Sequence, residues 1–298
     1  MKTCVWVVIP SYYRLELLQR ALNSLGDQGP ALAGVMVVDN SGGQATLPVK
    51  LHAQPEIRVV TPSENLGTAG GLALGMRTVL GTTAATHCWI MDDDAEAGSG
   101  VLRAMLEALD SAGAEVATSL LIDHRGKVAW YPGPLPQPAW NVIRSGVTPQ
   151  EFRQRCGATP LPWTWATWAS MLVTRKAIEA VGLPDVDLWY QGSDIEYTLR
   201  LSSHFPCVLA PAAVCAHLPP PGDQSKQRIK SYWALQNGAY IATRLPHGRR
   251  SLRHLPGNHF RHWKAQHYQL RALTESFRAF WRGAICGRRV GRAEYAAV

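Results

Sequence analysis

Long apolar runs are what this sequence most clearly lacks. No window reaches the roughly 18 to 20 residues a helix needs to cross a bilayer. The nearest candidate, "LPWTWATWASMLV" at residues 161–173, is broken by Pro, Thr and Ser. The opening "MKTCVWVVIPSYYR" has an apolar stretch too short for the core of a secretory signal, with Arg14 and Glu16 close behind. A cytoplasmic protein is expected. Paired cysteines are missing as well: the six, at 4, 88, 156, 207, 215 and 286, include no C-x-x-C and no zinc or disulfide spacing. Reduced, buried thiols are expected. Acidic residues are scarce in one region, since residues 240–298 hold twelve Lys and Arg against two acids, leaving eighteen against twenty in residues 1–239. The net charge of +8 therefore belongs to the tail and suits an anionic partner: lipid headgroups, a pyrophosphate-linked molecule or nucleic acid. No helix-turn-helix, zinc finger or RNA-binding motif accompanies it, so nucleic acid is not the expected partner.

What is present is the material of a folded α/β protein: 298 residues, 46% of them hydrophobic, enough to bury a sizeable core. "CVWVVIP" reads as a buried strand, and "RLELLQRALNSL" places apolar residues on one helical face. "GVMVVDN" and "EIRVVT" read as strands, "TAGGLALGMRTVL" as a helix and "HCWIMDDD" as a strand ending in aspartates. Strands that are apolar throughout, in the order β-α-β-β-α-β, predict a parallel-dominated sheet covered on both faces. In such sheets ligands gather at the carboxyl ends of the strands, and "PSYYR", "DNSGG" and "DDDAE" stand at three of them. After the helix "SGVLRAMLEALDSAG" and the strand "EVATSLLID", residues 125–165 are rich in Pro and Trp and read as an irregular lobe. A strand entering a helix ("ASMLVTRKAIEAVG"), a helix beginning near Asp194 and a strand ending at His217 complete this part. From about residue 226 the chain reads as helical and basic.

Clustered carboxylates at a strand end repel one another, and each raises its neighbours' pKa unless a cation arrives. Mg2+ or Mn2+ would remove that cost, taking one or two carboxylates and filling its other positions with water and substrate phosphates. Asp92 and Asp94 reach one site if strand geometry persists through them, with Asp93 turned toward another part of a ligand. The competing reading is a solvated acidic turn before the helix from Ser99. In "ENLGTAGGLALGM", Gly67, Gly70 and Gly71 allow a phosphate to approach a helix N-terminus, or allow the helix to pack tightly on the sheet. The segment has neither G-x-G-x-x-G spacing nor a Walker lysine, so it supports no dinucleotide fold and no P-loop.

"VVIPSYYR", "VVDNSGG", "NLGTAGGLALGM", "IMDDDAE", "GSDIEYTLRL" and "AHLPP" follow one another in the order and spacing of family 2 inverting glycosyltransferases with the GT-A fold. The resemblance covers roughly residues 3–240 and is greatest to the bacterial galactofuranosyltransferase and rhamnosyltransferase group. It implies a Rossmann-like, mixed, mostly parallel sheet flanked by helices. It also implies a metal-dependent transfer of a sugar from a nucleoside diphosphate donor to a glycan or polyprenyl-linked acceptor. Pro10, Ser11, Tyr12 and Arg14 match the loop beside the nucleotide, with Tyr13 in place of the usual Asn. Asp39 matches the carboxylate that receives the base, Asn65 and Gly67 open the glycine-rich segment near the donor, and Asp93 joins the donor-binding set. Asp92 and Asp94 match the D-x-D pair that holds Mn2+ or Mg2+, and His217 the histidine that completes the metal site. Asp194 matches the catalytic base. Ser193 stands where the family usually has an acid, which leaves Asp194 as the sole candidate at the position, with Glu196 two residues on as a substitute carboxylate that faces either the acceptor or the structure.

Trp130, Trp140, Trp163, Trp165, Trp168 and Trp189 cluster where an acceptor would lie, and indoles pack on the C–H faces of sugars as readily as they fill cores. Trp163, Trp165 and Trp189 are taken as acceptor-binding because they flank Asp194. In the tail, Trp263, Phe277, Phe280 and Trp281 alternate with Arg261, Lys264, Arg271, Arg278 and Arg282. That pattern fits a peripheral contact at the inner face of the membrane, or a helical pair packed on the catalytic domain. The expected organisation is a catalytic domain over 1–239, with 1–124 binding nucleotide sugar and 125–239 on the acceptor side, and a basic helical tail over 240–298. Two other functions stay open: a nucleotide-sugar-binding protein without catalysis, favoured by Ser193, and a nucleotidyltransferase, disfavoured because "IPSYYRLELL" is no glycine-rich loop.

Overall fold

The structure is a computed structural model and describes residues 2–43, 55–189, 192–219, 227–244 and 270–286. The chain opens β1 (Val5–Ser11), α1 (Leu15–Ser24), β2 (Leu32–Asp39), β3 (Glu56–Val60), α2 (Gly67–Thr82) and β4 (His87–Met91). It continues β5 (Ala95–Ala97), α3 (Val101–Ala112), β6 (Val116–Ile122), α4 (Ala139–Arg144), α5 (Pro149–Cys156), β7 (Leu161–Pro162) and β8 (Ser170–Thr174). Then come α6 (Arg175–Val181), α7 (Ser193–His204), β9 (Cys207–His217), α8 (Gln227–Arg244), α9 (Leu270–Phe280) and a π turn, Trp281–Ile285.

One sheet runs β3-β2-β1-β4-β8-β6-β9-β5, with β7 paired to β9. The strands from β3 to β4 are parallel, β8 reverses, and β6 and β9 are parallel to each other. The fold is therefore mixed and mostly parallel, as the apolar strands foretold. Alternation along each strand divides the core between the two faces. Trp6 and Val8 of β1 and Cys88 and Ile90 of β4 join α2, the Pro/Trp lobe and α7 on one side. Val5, Val7, Ile9, Trp89 and Met91 join α1 and α3 on the other. At Gly75 the contact between α2 and the sheet is so close that a Cβ would lie 2.5 Å from Val8 Cγ1 and 2.9 Å from Val38 Cγ2. Glycine there serves helix-sheet packing, one of the two readings of the glycine-rich run.

The structure corrects several expectations. Strand β4 stops at Met91, and Asp92–Asp94 form a turn closed by Ala95 N–H donating to Asp92 O at 3.2 Å, so the aspartates do not converge by strand pleating. The lobe read as irregular contains α4 and α5. The second begins with a capping box, Thr148 and Glu151 bonding each other's backbone amides, with Pro149 in the first turn. The boundary drawn at 239/240 from charge falls inside α8, which runs unbroken from Gln227 to Arg244. Of the six thiols, all unpaired, Cys88, Cys207 and Cys215 are buried, whereas Cys286 is exposed. Burial pushes the Cys88 and Cys215 thiols up to about 12. Arg261, Trp263, Lys264 and the side chain of Arg271 lie outside the described residues.

Candidate active site

The carboxyl ends of β1, β2 and β4 open onto a cavity of about 330 Å³. The loop after β1 supplies Pro10, Ser11, Tyr12 and Arg14; the start of α2 supplies Asn65, Gly67 and Thr68; and the turn after β4 supplies all three aspartates. Parallel register brings these loops level, since Ser11 pairs with Asp39 across β1 and β2. Asp39 itself is buried and off the cavity wall, its Oδ1 accepting from the Ser41 amide at 2.9 Å and hydroxyl at 2.5 Å. The next residue takes the wall position. Asn40 donates from Nδ2 to Gly67 O at 3.1 Å and accepts the Leu66 amide at 3.3 Å, pinning the glycine-rich turn. Asn65 Oδ1 accepts the Gly67 amide at 2.8 Å, and Gly67 has φ of +67° at the start of α2. The helix N-terminus thereby faces the cavity, where its amides and dipole favour phosphate.

Each aspartate is held differently. Asp93 accepts from Ser11 Oγ at 2.7 Å and Arg14 Nη1 at 3.1 Å, and burial keeps its pKa raised despite both. Arg14 Nη1 also reaches Asp94 Oδ2 at 3.1 Å. Asp94 is buried, and its Oδ1 accepts no hydrogen bond among the described residues, although His217 Nε2 lies 3.2 Å away. Asp92 is partly exposed, with Oδ2 3.6 Å from the same nitrogen. Burial first, then Asp94, pushes Asp92 up to about 7. For His217 burial pulls the pKa down, but Asp94 and Asp92 outweigh it and the net shift is upward.

Asp92, Asp94 and His217 offer ligand atoms all within 4.8 Å of one another. Two carboxylates and an imidazole, one buried oxygen lacking a donor, and mutual repulsion to be relieved form a set that fits Mn2+ or Mg2+. His217 arrives by sheet register: Ala95 pairs with His217 across β5 and β9, and Leu218 N–H donates to Asp94 O at 2.9 Å.

Asp194 lies in the first turn of α7, after Gly192, whose φ is +87°. It does not cap the helix by side chain. Its Oδ1 accepts the neighbouring Ile195 amide at 2.9 Å, and burial pushes its pKa up to about 6. Its charge acts weakly on Asp92, although Asp194 is not among the residues that line the cavity. No ion pair with Arg200 forms; that arginine holds Glu196 instead, Nε to Oε1 at 2.5 Å and Nη2 to Oε2 at 3.1 Å, and bonds the Val181 and Leu183 carbonyls. Glu196 is thus a buried structural carboxylate, contrary to its expected place facing an acceptor.

The tryptophans separate as well. Trp163 is 5% exposed inside the core and is not presented to a ligand. Trp165 packs over Gly133. Trp189 lines the cavity, where a Cβ on Gly67 would lie 2.8 Å from its ring, so it stands against the glycine-rich turn at the start of α2. Trp130, named in the tryptophan cluster but not among the three taken as acceptor-binding, is 40% exposed, has φ of +50° and packs edge-on against His217 with ring centroids 4.6 Å apart. Nothing local signals this. The hairpin that bonds Ala129 N–H to Leu121 O at 2.8 Å turns Trp130 back to the strand end.

Sheet order, cleft and Asp-Asp-His group together define a GT-A-like α/β domain. The profile of the family described as "Glycosyl transferase family 2" matches residues 6–173, more than half the chain, and the protein belongs to that family. It is 30% identical over 210 residues to "Galactofuranosyltransferase GlfT1" of Mycobacterium tuberculosis (strain ATCC 25618 / H37Rv), covering 67% of this chain and 65% of that protein. It is 25% identical over 201 residues to "dTDP-rhamnosyl transferase RfbF" of Shigella flexneri, covering 67% and 64%. The chain spans just under two thirds of the length of these relatives. Among solved structures, S. aureus TarS 1-349 in complex with UDP-GlcNAc matches with a TM-score of 0.64 at 13% identity, over 94% of this chain and 81% of that one. Mannosyltransferase PcManGT from Pyrobaculum calidifontis, in complex with GDP-Man and Mn2+, matches at 0.56 and 18% identity, over 98% and 78%. At such identities the likeness is one of fold.

Proposed function

We propose that the protein transfers a hexosyl group, with inversion, from a nucleoside diphosphate sugar to a hydroxyl of a glycan or polyprenyl-linked acceptor in cell-surface glycan synthesis. The observation that carries this reading is the gathering of Asp92, Asp94 and His217 within 4.8 Å of one another where both aspartates line the cavity, with Asp194 near enough for its charge to act on Asp92. In the proposed reaction the acceptor oxygen bonds to the anomeric carbon as the bond to the diphosphate breaks, and Asp194 takes the hydroxyl proton. Burial supports this role, because a carboxyl pushed up to about 6 is a stronger base than an ordinary aspartate and still ionised at neutral pH. Asp92, Asp94 and His217 would hold Mn2+ or Mg2+, which when bound supplies Lewis acidity toward the departing diphosphate.

Arg14 and the amides at the start of α2 line the cavity and offer further positive potential to the diphosphate. Ser11, Tyr12 and Asn65 would complete the donor site, with Trp189 and Trp165 toward the transferred sugar and acceptor. UDP-galactofuranose is the favoured donor and dTDP-rhamnose the next, following the two relatives. The proposed site of action is the cytoplasmic face of the membrane, with the basic C-terminal region in contact with lipid.

Ligand-observed NMR with a panel of UDP- and dTDP-sugars, with Mn2+ and with chelator, tests the donor reading. Metal-dependent binding of one donor is expected, and binding of none by folded protein would refute it. Ser193, at the position where the family resemblance implies an acid, keeps a binding protein without catalysis as the second reading. Release of free nucleoside diphosphate in the presence of acceptor separates the two.

A further inference from the structure

The C-terminal helix divides its residues between two surfaces. On one, Ala279, Gly283 and Ala284 are buried against α8, so closely that a Cβ on Gly283 would overlap the Gln236 carbonyl. Arg244 Nη1 donates to Ala284 O at 2.7 Å and ties the end of α8 to the π turn. On the other, Phe277, Trp281 and Ile285 are 72%, 58% and 55% exposed. These are the three most exposed large apolar side chains among the described residues, and they stand four apart along α9 and the π turn that continues it.

Helix geometry makes them a stripe. A step of four overshoots one turn of α-helix, so three such positions would drift round the surface. The last step crosses the π turn, whose i→i+5 bonds, such as Cys286 N–H to Trp281 O at 3.0 Å, put more than four residues in a turn. There the same step falls short of a turn, and the two deviations offset. The stripe is about 12 Å long at 1.5 Å per residue. Exposed Arg278 lies beside it, within a region holding twelve Lys and Arg against two acids.

We propose that Phe277, Trp281 and Ile285 form a docking face that inserts into the headgroup region of an anionic lipid surface. This rests on the reading that the basic C-terminal region meets the membrane, and it names the side chains that enter it. Insertion of one short stripe suits the chain, because no described helix is long and apolar enough to cross a membrane. Three side chains bury little area, so attraction between the basic region and anionic headgroups has to supplement them. The face is also coupled to the cleft. Its helix lies on α8, and Ile241 of α8 packs at Gly192, where a Cβ would be 3.1 Å from Ile241 Cδ1, just before the turn that carries Asp194. Docking at the stripe therefore fixes the orientation of the cleft relative to the surface.

The test is flotation of the full chain with vesicles of phosphatidylcholine, with and without phosphatidylglycerol, at low and high salt. The wild type is expected to bind the anionic vesicles and to be weakened by salt. F277S/W281S/I285S should lower that partition by about tenfold at low salt, with thermal melting unchanged. F277S alone, at the most exposed position, should lose part of the binding without touching the α8 contact. Unaltered salt-sensitive binding by both variants would overturn the stripe and leave the membrane reading standing. Binding of neither vesicle by the wild type would overturn both. A wild type that self-associates without lipid while the triple variant is monomeric would make the face a dimer contact and sink the proposal.

Discussion

His217 Nε2 lies 3.2 Å from Asp94 Oδ1 because Ala95 and His217 are paired across β5 and β9. A short antiparallel pairing next to the aspartate turn thus assembles the proposed metal group. Changing Asp92 and Asp94 together to Ala should abolish the metal dependence of donor binding and weaken it by about one to two orders of magnitude, and His217→Ala should have a smaller effect. Titration of Mn2+ by electron paramagnetic resonance, with and without donor, reads this directly. Unchanged Mn2+ affinity would return the three aspartates to an acidic turn.

Asp194→Asn preserves size and leaves the side-chain oxygen able to accept the Ile195 amide. Donor binding should stay within a factor of about two, while transfer falls by about 10²–10⁴, the range attributed to a general base. Turnover comparable to wild type would remove Asp194 from that role.

The raised pKa of Asp194 sets an acid limb. Because the base must be ionised, kcat/KM should be flat above about 6 and fall as pH drops through it. The limb should vanish in the residual activity of Asp194→Asn, which a pH profile of both proteins would check.

Asp92 gives a second pH effect in metal-free protein. Its pKa of about 7 lies above the ordinary 3.8, so between these values the folded state binds more protons than the unfolded. Stability should therefore decline as pH rises from about 4 to 7, and Mn2+ should restore the lost stability at pH 7 and above by binding the ionised pair. Thermal melting across that range, with metal and with chelator, decides it. A metal-free protein that grows more stable over the same rise would contradict the assignment.

Glu196→Gln separates structure from acceptor recognition. Removing its charge leaves Arg200 without its carboxylate, at a cost of about 2 kcal/mol, below the range for fully buried pairs because Arg200 is partly exposed. Chemical denaturation should show the loss, and acceptor KM should not move. A raised KM at wild-type stability would restore Glu196 to the acceptor site.

Much of the architecture was legible because its signals are local. Strands apolar along their whole length have to be covered on both faces, and "RLELLQRALNSL" can bury its apolar side only as a helix. The capping box at Thr148 and Glu151 was equally local, but the prolines and tryptophans around it masked two short helices. That Asp92, Asp94 and His217 come together was legible only through resemblance, since nothing near His217 in the chain points to Asp92. Asp39 and Asn40 show the limit at the donor loop. Both are polar and adjacent, and only the turn made by Ser41 decides which one faces the cavity.

Residue order alone determined the element types, the face each helix buries and the supply of carboxylates at strand ends, because period and chemistry are properties of neighbours. Tertiary structure decided which carboxylates share a site, that Arg200 claims Glu196 and spares Asp194, and that Trp130 packs on His217 while Trp163 is buried. Those outcomes depend on strand register and on competition for partners between distant segments, and no local stretch of sequence encodes either.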